Sequence, residues 1–197
     1  MRESITDRDV GLMRILDPLQ PAAFRLAFFP HPVGTPDPLW RLTQLLLPSV
    51  EVLTIQYPGS VRQGTHGYIG NVVELVHDST ELLRDWTDLP LALFGHRGGG
   101  EFTLQTAARL EQETQIRPLC TFVADWGSSP KFETVKLNSP VVALAGGNDA
   151  AELPRWRECT TSRFDLEVWP GGGKFLDTHC EDIANLIHDR LVSASIE

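Results

Sequence analysis

The chain has 197 residues, 42% hydrophobic and 22% charged, which is enough to bury the core of one ordinary domain and excludes a disordered chain. Its net charge of −9, without a basic run, argues against a nucleic-acid or anionic-membrane partner. Arg2, Glu3, Asp7, Arg8 and Asp9 leave no room for a secretory leader, and no apolar stretch approaches the ~20 residues of a membrane span.

Residues 1–22 read as a polar lead-in ending at Pro18 and Pro21, ahead of one domain over 23–197. From there elements alternate. FRLAFF (24–29) predicts a strand, 40–47 a short helix closed by Pro48, and EVLTI (51–55) a second strand. Residues 69–86 carry apolar side chains at helical spacing, 91–94 form a short apolar strand, and 101–113 predict a helix. LCTFVA (119–124) and VVALA (141–145) are two further apolar strands, joined by a 16-residue link over 125–140. A helix over 152–159, an alternating strand over 164–169 and a helix over 181–192 complete the chain. Cys120, Cys159 and Cys180 are isolated and odd in number, which fits a reducing cytoplasm rather than a disulfide framework or a zinc site. Cys120 reads as a small core residue, and Trp40, Trp86, Trp156 and Trp169 read as core or packing residues.

Short apolar strands alternating with amphipathic helices specify an α/β fold, with a mostly parallel sheet covered on both faces. Ligands of such sheets sit at the carboxyl ends of the strands, so function is sought in the loops after them. One of those loops is distinctive. In LALFGHRGGG (91–100), a strand meets a Gly-x-x-x-Gly turn and a helix, the layout of a nucleophile elbow, but the middle residue is Arg97. Around it FFPHPVG (28–34), VEVLTIQYPG (50–59), SPVVALAGGND (139–149) and VWPGGGKFL (168–176) occur in order. Together the five motifs resemble the type II thioesterases that accompany polyketide and nonribosomal peptide synthases. The resemblance covers about 24–192 and implies the α/β-hydrolase fold.

That family works with a serine nucleophile, a histidine base and an aspartate that orients the histidine, groups that must touch in sequence. Carried over by the resemblance, the acid position is Asp149, the nucleophile position is Arg97, and the base position is Gly173, followed by Lys174. Of the two oxyanion donors, Gly98 keeps its N–H, whereas the other falls on Pro32, which has none. Losing one such donor costs about 3 kcal/mol of transition-state stabilisation. The family's helical lid follows the strand that ends here at Ala124, and the 16-residue link is too short for it, so the lid is reduced or absent.

The polar groups left around the cleft are Arg97, His31, His96, Asp125 and Asp149. Pro32, Tyr57, Gly98, Trp126, Lys174 and His179 are candidates to line it. Arg97 at a helix start favours an anion, or alternatively pairs with Glu101 four residues on. His96 and His31 each read as a packing residue or an acid–base group. Asp125 reads as a spare acid at a strand end, and Asp149 as the triad acid or a turn former. His179 reads as a helix cap or a second base, and Lys174 as a solvent-facing or a reactive amine. No cofactor or metal is called for.

Three functions follow. The first is a non-hydrolytic enzyme acting on an acyl or polyketide-like intermediate by acid–base cyclisation, elimination or isomerisation. The second is a catalytically dead protein that docks a synthase or carrier protein. The third is a residual thioesterase using another nucleophile, such as Cys180.

Overall fold

The apolar runs become strands because both of their faces are covered. A computed structural model of the chain describes residues 10–18, 20–31, 39–58, 71–124, 136–147 and 156–196. It contains strands β1 (Gly11–Arg14), β2 (Phe24–Phe29), β3 (Val50–Gln56), β4 (Leu91–His96), β5 (Thr121–Ala124), β6 (Val141–Gly146) and β7 (Phe164–Trp169). Its helices are α1 (Leu39–Leu46), α2 (Val72–Arg84), α3 (Gly99–Arg109), α4 (Phe175–Thr178) and α5 (Cys180–Ala194). The sheet order is β1-β3-β2-β4-β5-β6-β7, parallel throughout except for β1.

The period of two in each strand sorts its side chains into two cores. Ala27, Phe29, Ile55, Leu93, Val123 and Ala143 belong to the core shared with α2 and α3. Leu26, Phe28, Val52, Phe94, Phe122 and Leu144 belong to the core shared with α1 and α5. In the second core, the register aligns Phe28 with Phe94 and Phe94 with Phe122, so their rings stack at centroid distances of 5.2 and 6.1 Å. This is the mostly parallel sheet with helices on both faces, and the α/β-hydrolase architecture, that the sequence predicts.

Several boundaries differ from the sequence reading for local reasons. Residues 11–14, part of the polar lead-in, pair antiparallel with β3 as an edge strand, where one free side tolerates polar neighbours. α3 starts at Gly99, two residues early, because it grows directly out of the turn after β4. It runs into a π-helical turn, Leu110–Thr114, that ends at Gln115 in the left-handed region (φ 61°). Of the helix expected over 152–159, residues 156–159 form a 3₁₀ turn, and the rest lies outside the described residues. Trp40 is not a core residue but 56% exposed. Helix α1 buries Leu42, Thr43 and Leu46, and position 40 falls off that stripe. Trp156 is buried, whereas Trp86 and Trp169 are half-buried.

Strand order decides where a ligand belongs. From β2 the chain moves outward to β3 through α1, then returns over β2 to β4 through α2. The direction of winding therefore reverses between β2 and β4. The carboxyl ends of these two strands, Phe29–His31 and Gly95–Arg97, flank the switch point at which such sheets bind ligands. Among the described residues, no helix is long and apolar enough to cross a membrane.

Candidate active site

The turn after β4 is built by what its residues lack. A Cβ on Gly99 would lie 2.1 Å from the Phe29 carbonyl oxygen, and one on Gly95 would lie 2.4 Å from Thr103 Oγ1 and 2.6 Å from Gly100 Cα. Only glycine lets α3 start this close to β2 and β4. Between them Arg97 takes φ 50°, a left-handed conformation that costs a non-glycine residue about 1–3 kcal/mol. The strain is held at both ends. The Arg97 N–H donates to Ala124 O at 2.8 Å, and the Arg97 carbonyl accepts from Gly100 N–H at 2.9 Å. The turn thus keeps the strained vertex of a nucleophile elbow, with a guanidinium at the vertex and the positive end of α3 behind it.

Two segments converge on that vertex. From β2, the loop Pro30–His31 is braced by Tyr57, whose hydroxyl donates to Pro30 O at 3.0 Å. His31 Nδ1 then accepts from the Gly98 N–H at 3.2 Å. From the other side comes the Gly171–Lys174 segment. Gly171 and Gly172 adopt φ 102° and 57°, and a Cβ on Gly146 would lie 2.6 Å from Gly172 C, so the segment packs hard against the end of β6. It presents the Gly173 carbonyl, which accepts from Arg97 Nη2 at 3.1 Å. The alternative partner of Arg97, Glu101, is engaged elsewhere among the described residues. Arg97 reaches across the cleft, and Glu101 accepts from Gln105 Nε2 at 3.4 Å.

The structure thus brings together Arg97, Gly98, His31 and Gly173. His96 is buried at the end of β4, immediately before the vertex. Tyr57 is buried behind the His31 loop, with its ring 5.6 Å from Phe102. Lys174 is exposed. His179 precedes α5, with Nδ1 3.6 Å from an Asp182 oxygen and its ring 5.4 Å from Trp169. Pro32, Asp125, Trp126 and Asp149 lie outside the described residues. Among the described residues there is no cluster of three or more potential metal ligands. Two contacts were not legible in the sequence. Nothing in it marks the Gly173 carbonyl as an acceptor, and the imidazole of His31 on the Gly98 N–H shows only once the two loops face each other.

Cys180 makes a poor nucleophile. It is 2% exposed, and burial pushes its thiol above the usual range. Burial likewise pushes Cys120 up to about 12 and Cys159 up to about 11. A thiol at such values stays protonated at neutral pH, and the thiolate is the reactive form. A thiol reagent at pH 7.5 is therefore expected to label none of the three cysteines in the folded protein and all three in urea, read by intact mass. Rapid labelling of Cys180 in the folded state would revive it as a nucleophile.

The thioesterase domain family profile matches residues 24–145. The chain is 27% identical to the thioesterase PikA5 of Streptomyces venezuelae, over 95% of this chain and 90% of that protein. That alignment spans 252 positions, more than the 197 residues of this chain, so the relative carries segments with no counterpart here. Among solved structures, the type II thioesterase BorB from the borrelidin biosynthetic cluster superposes with a TM-score of 0.80 at 22% identity, covering 91% of this chain and 95% of that one. The type II thioesterase YbtT from the yersiniabactin pathway gives 0.75 at 15% identity, covering 93% and 98%.

Proposed function

The chain belongs to the thioesterase domain family, and from that premise we propose that it serves a polyketide or nonribosomal peptide pathway as a non-hydrolytic member. It binds an acyl or polyketide-like intermediate in the old thioesterase cleft, with Arg97 holding the anionic end. The observation that carries this reading is Arg97 itself, a permanent cation on the strained elbow vertex where the family places its nucleophile. A guanidinium cannot form an acyl-enzyme, but it is suited to a carboxylate or an enolate. His31, His96, Asp125 and Asp149 supply proton transfer for cyclisation, elimination or isomerisation of the bound intermediate.

A second reading, a catalytically dead protein that docks a synthase or carrier protein, is favoured by a different observation. The Gly98 N–H is already bonded to His31 and is not open to a substrate oxygen.

Hexanoate and hexanoyl-N-acetylcysteamine test the proposal. The protein is expected to bind hexanoate and to leave the thioester intact. Arg97→Gln is expected to weaken hexanoate binding about tenfold or more, the scale of a lost charge-assisted hydrogen bond. Multiple-turnover hydrolysis, or unchanged binding in Arg97→Gln, would overturn it. Solvent deuterium entering the α-carbon of a β-keto thioester faster with the protein than without it separates the enzyme from the docking protein.

A further inference from the structure

Gly98 carries the one oxyanion donor that the sequence leaves at the vertex, and its N–H is engaged by His31 Nδ1 at 3.2 Å. A ring nitrogen that accepts a hydrogen bond carries no proton, so the neutral imidazole of His31 holds its proton on Nε2. An imidazolium has a proton on both nitrogens and cannot accept that bond. From this we propose that His31 is a proton-operated plug on an anion site formed by the Gly98 N–H and the Arg97 guanidinium, so that carboxylate binding strengthens as His31 gains a proton. The inference rests on the reading of Arg97 as an anion binder.

Three effects act in the same direction. Protonation breaks the bond to Gly98 and frees its N–H. It places a second cation on the loop that faces Arg97, and two like charges near one another favour an anion between them. The freed N–H lies behind Arg97 at the positive end of α3, where a carboxylate gains further. By linkage the coupling is reciprocal, so a bound carboxylate raises the proton affinity of His31 and binding takes up protons.

The titratable and charged groups on the elements flanking His31 are Tyr57 after β3, His96 and Arg97 at the end of β4, and Glu101 in the first turn of α3. The Tyr57 hydroxyl is held by Pro30 O, and Glu101 by Gln105. Tyrosine and arginine keep one charge state between pH 5.5 and 8.5. Asp125 and Asp149, after β5 and β6, lie outside the described residues.

Hexanoate titrated calorimetrically between pH 5.5 and 8.5 is expected to bind about tenfold tighter to the wild type at the acid end, with proton uptake. His31→Ala removes both plug and switch. It is expected to bind tighter than wild type at pH 8.5, weaker at pH 5.5, and with little dependence on pH. His31→Asn keeps an acceptor that does not titrate, and is expected to bind weakly throughout. Independently of any ligand, the Gly98 amide resonance should move with the titration of His31 Nδ1. A Gly98 amide that stays fixed, or a wild-type pH slope retained in His31→Ala, overturns the plug and leaves the reading of Arg97 standing. Absence of hexanoate binding at every pH, or unchanged binding in Arg97→Gln, overturns the anion site itself.

Discussion

Arg97→Ser alone will leave thioester hydrolysis at the uncatalysed rate, and only Arg97→Ser combined with Gly173→His will raise it. A serine at the vertex would sit on a backbone already bent to φ 50° and pinned by Ala124 O and Gly100 N–H, so the elbow is ready for it. Its hydroxyl is a weak nucleophile until a base takes the proton. In serine hydrolases, loss of the base alone costs about 10⁶ in kcat, as much as loss of the whole triad. Gly173 offers a carbonyl where that base belongs, 3.1 Å from Arg97 Nη2. A side chain can be carried there. Unlike Gly171 and Gly172, Gly173 is not in the positive-φ region. Adding the base is expected to return about 10²–10⁴ over background. Activity stays below that of an intact enzyme because His31 remains on the Gly98 N–H. Release of thiol from hexanoyl-N-acetylcysteamine, with intact mass to detect an acyl-serine, checks both variants. Multiple turnover by Arg97→Ser alone would show that one of the cleft's other groups already reaches the vertex hydroxyl as a base, and would overturn the account of position 173 as the place from which that base is missing.

The same pair of positions shows how much of the site was legible. Motif order located the vertex and the segment that faces it, because the glycines of LFGHRGG are imposed by close backbone approaches at Gly95 and Gly99, and those of PGGGK by positive φ at Gly171 and Gly172. What the sequence could not supply was direction. Glu101 is four residues from Arg97 and suited to pair with it in a helix, yet Arg97 belongs to the turn and extends to a segment 76 residues away. The strands were legible because burial on both faces writes continuous apolar runs. Edge strand β1 and exposed Trp40 were not, since an edge needs little hydrophobicity and a tryptophan carries no label for the face it occupies. Nor did the sequence reading single out the charges inside two of those apolar runs, Arg25 in FRLAFF and Glu51 in VEVLTI. They are direct partners in the β2–β3 register.

That buried pair carries the largest expected loss of stability. Arg25 and Glu51 have side chains only 4% exposed, and Arg25 Nε donates to Glu51 Oε2 at 2.7 Å. Arg25 also donates to Trp86 O at 2.8 Å and to Asp88, and lies 4.9 Å from the Trp86 ring centroid. Arg14 of β1 joins Glu51 from the edge. Opposite the ligand end of the sheet, this network fastens β1, β2 and β3 to the turn that precedes β4. Arg25→Met leaves Glu51 buried with half of its partners gone, and is expected to cost about 3–5 kcal/mol. Arg25→Met with Glu51→Leu removes both charges and is expected to recover much of that loss, because a well-packed apolar pair can replace a buried ion pair. The exposed pair Arg109–Glu113, by contrast, is expected to contribute about 1 kcal/mol or less. Urea midpoints order the wild type, Arg25→Met and the double variant, and a double variant no better than Arg25→Met would sink the argument. Acid supplies a further check on the sign. The hydrogen bond from Arg25 holds the Asp88 carboxyl below the usual range, although partial desolvation opposes it. Asp88 therefore stabilises the fold above its unfolded pKa, and that contribution is lost as pH falls through the lower, folded value. The wild-type midpoint should drop further in acid than that of Asp88→Asn, whose side chain has no proton to gain.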